Sequence, residues 1–296
     1  IVKVDGETTR VGDFPLRNAI EEVDVQFFPE GGDLLADVSK KIAFKAIEQG
    51  GKSVRVKGKI IDSKKKTVAE FADLGLGMGY FEFIPSATEQ YKAVVTLPSG
   101  AERTYDFPVV KTDGINIIAA ASTDESITLG LLTSASYFSK IENQPYYLFG
   151  QLNGHLIYGA QVTIKSQAVS INVPIIDLPN GIIQFTLVSP QGKALSERLV
   201  FNDHAENLQI LVKSDKSSYG QKEKVILDIA NNTAEKALAT LSVSVIDESK
   251  VPADDHDENT ILSNLLLTSD LQGYIEKPNY YFDDKNHALV GRKTGT

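Results

Sequence analysis

The chain has 296 residues, a formal net charge of −9, 42% hydrophobic and 23% charged residues. That length accommodates two or three domains with cores of their own, and no stretch approaches the roughly 18 uninterrupted apolar residues of a membrane span. The acidic balance argues against nucleic-acid binding, because phosphate neutralisation needs a clustered basic surface and the one basic run is Lys64-Lys65-Lys66.

Cysteine is absent, which removes disulfides, thiolate metal ligands and cysteine nucleophiles together. Its absence does not fix a compartment. Residues 1–23 are expected to be a leading strand or linker. The first six alternate like a strand entering a turn and lack the charged-then-apolar pattern of a signal peptide, so the chain is expected to begin inside a longer precursor.

From 24 to 111 the pattern is short β-runs broken by turn residues. The predicted strands are 25–28, 42–47, 54–61, 68–71, 79–83, 91–97 and 103–110. Seven short strands predict a sandwich. In the clearest run, Val54, Val56 and Ile60 share one face and Arg55, Lys57 and Lys59 the other, the mark of a half-buried strand. Lys64-Lys65-Lys66 falls between two strands and reads as a solvated hairpin tip. Gly75-Leu76-Gly77-Met78-Gly79 lacks the spacing of a dinucleotide loop and reads as a bulge or tight turn. Tyr91 suits either a tyrosine corner or plain core packing.

A second unit, 114–203, carries strand patterns at 127–133, 146–152, 155–162, 169–174, 182–188 and 194–201. Asn153-Gly154 suits a two-residue type I′ hairpin, since both central positions need positive φ. Gln191-Gly192 marks another turn. The two units are alike in length and closing hairpin, which predicts a degenerate structural repeat.

A third, partial unit spans 207–290, with strands at 208–212, 225–230 and 238–247 and a turn at 217–221. Beyond Pro252 the period changes. Asn259 or Thr260 is placed to cap a helix carrying Ile261, Leu262, Leu265, Leu266 and Leu271, with Gly273 near its end. A stripe so apolar is expected to be packed rather than exposed. The last six residues read as a frayed tail.

With these runs in place the chain resembles the macroglobulin-type domains of the alpha-2-macroglobulin family, in particular a Bacteroidetes envelope group in which such domains accompany TonB-dependent receptor plug domains. The resemblance is carried by Val25-Gln26-Phe27-Phe28-Pro29-Glu30-Gly31-Gly32 and Gly77-Met78-Gly79-Tyr80-Phe81-Glu82-Phe83. In the next unit it is carried by Gly181-Ile182-Ile183-Gln184-Phe185-Thr186-Leu187 and Glu197-Arg198-Leu199-Val200-Phe201. The most specific match is Val243-Ser244-Val245-Ile246-Asp247 followed by the leucine-rich run 261–271. It implies an all-β fold of tandem immunoglobulin- or fibronectin-like (macroglobulin-type) β-sandwiches with a short C-terminal helix, export beyond the inner membrane, and association with the outer membrane through other parts of a longer chain. It does not supply an enzyme. The thioester of the trapping members needs a cysteine, which this chain lacks.

The candidate metal site is Asp254-Asp255-His256-Asp257-Glu258, whose carboxylates are the hard oxygen ligands calcium takes, though the spacing is not that of an EF-hand. The alternative is an acidic approach to a helix N-terminus, favoured by the dipole. His155, His204 and His287 are scattered and assigned to surface or turns. No Gly-x-Ser-x-Gly elbow is present. Aromatic residues gather at Tyr137-Phe138, Tyr146-Tyr147 and Tyr280-Tyr281-Phe282, where stacking on sugars or anchoring a protein partner competes with core packing. The sequence thus favours a non-catalytic structural and interaction module, without cofactor or metal, that contacts other domains of its precursor or an envelope protein. The alternative is a glycan- or peptide-binding module, with calcium assistance as an option.

Overall fold

The computed structural model describes residues 22–123, 125–204, 210–231, 240–247, 249–251 and 258–282. The chain divides into two compact units, Ile1–Asp113 and Gly114–Thr296.

In the first unit the alternating runs fold as antiparallel strands that put their apolar residues inward. Strands β1 (Val23–Pro29), β2 (Leu34–Leu35), β3 (Lys40–Glu48), β4 (Lys57–Ile61), β5 (Thr67–Ala72), β6 (Met78–Phe83), β7 (Lys92–Thr96), β8 (Glu102–Asp106) and β9 (Val110–Lys111) follow in order. They form a three-stranded sheet β1-β3-β6, a four-stranded sheet β5-β4-β7-β8, and a short parallel pair β2-β9. The core between the sheets is rich in phenylalanine. Phe27 lies within 5.1–6.4 Å of the rings of Phe44, Phe71, Phe81 and Phe107. Val56 and Ile60 are buried as the alternation predicts, while Arg55 is exposed.

The second unit contains β10 (Ile115–Ser122), β11 (Ser126–Thr133), β12 (Pro145–Leu152), β13 (His155–Thr163), β14 (Ala168–Pro174), β15 (Gly181–Val188) and β16 (Ala194–Asn202). Its sheets are β10-β11-β14 and β13-β12-β15-β16. Set aside the two-residue strands, and both units have one strand order: first, second and fifth in one sheet, and fourth, third, sixth and seventh in the other. This is an immunoglobulin-like sandwich built twice. The second core is mostly aliphatic, around Ile117, Leu129, Leu131, Leu148, Ile183 and Leu187, with Phe185 among them. Buried Ser196 of β16 accepts a hydrogen bond from Ile117 N–H of β10 at 2.9 Å, which ties the two sheets together.

Several expectations need correction. The pattern did not mark β10, nor the seven-residue helix Ala135–Ile141 ahead of β12. With Ile141, the pair Tyr137 and Phe138 falls at helical spacing and packs on the second core, so core packing is the reading realised for this pair, from one face of the unmarked helix. After residue 209 the described residues form one two-stranded ladder, β17 (Ile210–Ser214) with β18 (Leu227–Asn231). Residues 240–247, expected within a strand, make no ladder among the described residues, although Leu241, Val243 and Val245 alternate as a strand would.

The late helix is shorter than expected. Thr260 caps it through a capping box with Ser263, but the helical turn Ile261–Ser263 passes at once into a π-turn, Asn264–Thr268. The wider turn rotates the leucine stripe. Leu262, Leu266 and Leu267 are half-buried, while Ile261 and Leu265 stay 77% and 61% exposed, contrary to the packed stripe expected. The segment is anchored further on by Phe282, whose ring meets Phe201 edge-on at 5.9 Å.

Candidate functional site

With both interiors filled by apolar packing, the outer faces and loop ends are what each unit offers a partner. On the outer face of β1-β3-β6, register places Phe28 opposite Ala43 and Ala43 opposite Tyr80. The result is a cross-strand row of two aromatic rings separated by a methyl group. Phe28 is 50% and Tyr80 53% exposed, and the Lys41 ammonium lies 5.2 Å from the Tyr80 ring centre. Neither residue was singled out as a site in the sequence. Only the pairing register brings together positions 28, 43 and 80.

A cleft of about 920 Å³ opens at one end of the same unit, with Asp62, Ser63, Glu89, Tyr91, Asp106 and Phe107 among its lining. Asp62 and Glu89 hold loops in place. Asp62 accepts hydrogen bonds from the backbone N–H groups of Lys64 and Lys66, which fixes the basic run as an exposed hairpin tip. Ser63 bonds to Glu89 across the cleft. The Tyr91 hydroxyl accepts from Ser86 N–H at 2.9 Å, five residues back, while its ring packs edge-on against Phe83. Corner and core packing are therefore both realised at Tyr91.

Among the described residues of this unit, Lys40 at the start of β3 is a buried cation, 1% exposed. Burial pushes its ammonium down to about 8, against the opposing pull of Glu30 and Asp33. Its Nζ donates to the Glu30 carbonyl at 2.6 Å.

In the second unit the outer face of β13-β12-β15-β16 carries Tyr147 and Phe149, whose rings lie 6.4 Å apart and within 11° of parallel. Register sets Gln161 opposite Tyr147, Gly159 and Thr186 on either side of Phe149, and Gln184 opposite Gln151. The neighbouring Tyr146 points into the core instead. Burial raises its phenol well above the ordinary range, with a hydrogen bond to Tyr137 adding to the effect. Tyr281, in the C-terminal segment, is pushed up to about 12 by burial first and then by Tyr280 and Glu276.

The remaining predicted residues fall as follows. Asn153 and Gly154 have φ of 50° and 76° and form the expected hairpin turn. Gly77 (φ 65°) sits where an added Cβ would come within 2.4 Å of the Ala46 carbonyl oxygen, so the glycine run is a tight turn. His155 is exposed. His204 holds a turn: its Nε2 lies 2.9 Å from the Leu178 carbonyl oxygen, and its N–H donates to Asn180. Asp254, Asp255, His256, Asp257 and His287 lie outside the described residues, with Glu258 alone of the acidic run inside them. Among the described residues, no group of three His, Cys, Asp or Glu side chains is placed to hold a metal ion. Nor is any helix there long and apolar enough to cross a membrane, which says nothing of a β-barrel.

No family model matches the chain, and no curated protein matches it. Among solved structures it is similar to the BSP domain of a biofilm-associated protein, at 16% identity over 62% of this chain and 30% of that one, with a TM-score of 0.28. It is also similar to Escherichia coli alpha-2-macroglobulin activated by porcine elastase, at 11% identity over 72% of this chain and 24% of that one, with a TM-score of 0.23. A third similarity is to the fibronectin(III)-like modules of Clostridium thermocellum CbhA, at 11% identity over 63% of this chain and 97% of that one, with a TM-score of 0.24. The chain thus spans less than a third of the first two. The fold class, tandem immunoglobulin-like β-sandwiches, rests on the pairing of its own strands.

Proposed function

We propose that this chain is a non-catalytic interaction and spacing module of a bacterial cell-envelope protein, placed in the periplasm or at the outer membrane as part of a longer, outer-membrane-associated polypeptide. The observation that carries the reading is the exposed row Phe28, Ala43 and Tyr80. Two half-exposed aromatic rings that flank the central strand of a sheet face are the large amphipathic anchors around which protein contacts form. The macroglobulin resemblance supplies the envelope setting and the likeness to chains that carry plug domains.

Site-directed crosslinking tests this reading. A photo-crosslinking amino acid replaces Ala43 or, as control, Lys64 on the exposed hairpin tip, each in the intact envelope polypeptide. A discrete adduct from position 43, missing from position 64 and lost on Tyr80→Ala, is the expected result. Identical adducts from both positions, or none, would refute the reading.

A second reading, a glycan- or peptide-binding module, is favoured by the Tyr147 and Phe149 pair and its amide neighbours.

A further inference from the structure

We propose that the outer face of β13-β12-β15-β16 is a binding platform for a neutral, hydroxyl-rich oligosaccharide that lies along Tyr147 and Phe149. This deepens the second reading above and is independent of the Phe28 and Tyr80 row, which belongs to the other unit.

Three observations converge. The first is the ring pair. Tyr147 and Phe149 are two residues apart on β12, so they share a face, and their rings, with centres 6.4 Å apart and planes within 11° of parallel, line up as an aromatic strip along the strand. The C–H faces of pyranose rings are apolar and stack on such strips, while their hydroxyls point outward to the sides.

The second is what stands at the sides. Gln161 flanks Tyr147 from β13, Thr186 flanks Phe149 from β15, and Gln151 faces Gln184 in the next row. Each Gln amide offers donors and an acceptor, the pairing a sugar hydroxyl needs. None of the three amides has a hydrogen bond within the protein among the described residues. Gly159, opposite Phe149, carries no side chain, and an added Cβ there would sit 3.8 Å from the ring. One flank of the strip is thereby left low.

The third is charge. The protein carries a net −9, yet the two rings and the residues beside them on β13, β12 and β15 are uncharged; Glu197, on β16 beyond Thr186, is the nearest acid in the register. Charge matching selects a neutral occupant over a polyanionic glycan, which the chain repels, and over a basic peptide, which finds no carboxylate on β13, β12 or β15 beside the rings.

The test is isothermal titration of the whole chain with a panel of neutral hexasaccharides (cello-, manno-, xylo- and malto-), with a capped uncharged peptide beside them. At least one sugar is expected to bind, with Tyr147→Ala and Phe149→Ala each weakening it about tenfold. Gln161→Arg leaves both rings in place but adds bulk and charge at the edge of the strip. It is expected to weaken the same sugar about threefold or more without moving the melting temperature. Lack of binding across the panel overturns the proposal, as does sugar binding that survives both Tyr147→Ala and Gln161→Arg, or binding of the peptide in place of the sugars. None of these outcomes bears on crosslinking from position 43, so the two readings fail separately.

Discussion

Lys40 offers a quantitative test of the first core. Its side chain points inward beside Ile42 and Phe44, 1% exposed, with its ammonium donating to a backbone carbonyl. In the unfolded chain the ammonium titrates at the ordinary value of 10.5, and in the fold at about 8. Because the folded value is the lower one, the unfolded state holds more protons between the two, and stability rises with pH through that window. The penalty for burying the charge is nearly full at pH 7, about 3 kcal/mol for a displacement of this size, and most of it is gone by pH 10. Lys40→Met keeps the stem's packing and removes the titration. The stability of the native chain relative to this variant is therefore expected to rise by about 2.5 kcal/mol between pH 7 and pH 10. Tyrosines and other lysines titrate in both proteins and cancel from the difference. Urea unfolding followed by circular dichroism suits a chain without tryptophan. A difference that stays flat across this range would mean that Lys40 reaches water in the folded state, and the buried-ammonium argument would be wrong.

Three further outcomes are expected. Gly77→Ala should cost at least about 2 kcal/mol, since it adds a collision with the Ala46 carbonyl to the strain of positive φ, whereas Gly100→Ala, with φ 86° and open space, should cost about 1; equal losses in thermal melts would contradict the close approach. Tyr91→Phe keeps the ring on Phe83 but strands the Ser86 N–H, and should cost about 1 kcal/mol in urea titrations. Leu129→Ala in the second core should cost about 2–5 kcal/mol, and half-buried Leu266→Ala about 1–2; if Leu266→Ala proves as costly as Leu129→Ala, the C-terminal segment packs more deeply than its exposure indicates.

The strands were legible because a sheet with one wet face writes its burial into every second residue, as Val56, Ile60 and their lysine neighbours do. The repeat was legible only as matching length and a matching closing hairpin; the shared strand order needs the ladders. Where one pattern fits two causes, the reading went astray. Tyr137 and Phe138 show in the sequence as an aromatic pair and not as part of a helix, because a seven-residue helix is too short to declare its period. Leu241, Val243 and Val245 alternate like a strand, but alternation does not specify a partner, and none pairs with them among the described residues. Lys40 was invisible because a lysine at a strand start is expected in water, and only the fold reveals that its stem runs inward. The two outer-face sites were half legible. Tyr147 stands out in the sequence as an aromatic, but what joins it to Gln161, and Phe28 to Tyr80, is pairing register, which no single strand's pattern contains.

Two sandwiches of one strand order in a single polypeptide face a hazard during folding: a strand of one can enter the matching slot of the other, since backbone pairing alone does not distinguish them. Their interiors do. A strand such as β6, which brings Phe81 and Phe83 inward, would meet a pocket shaped for Val173 and its aliphatic neighbours if it took the place of β14, and would overfill it. In the reverse exchange β14 would leave voids among the rings of Phe27, Phe71 and Phe107. The contrast between an aromatic and an aliphatic interior thus acts as an address label for each strand, and lets neighbouring copies of one architecture fold side by side without trading parts.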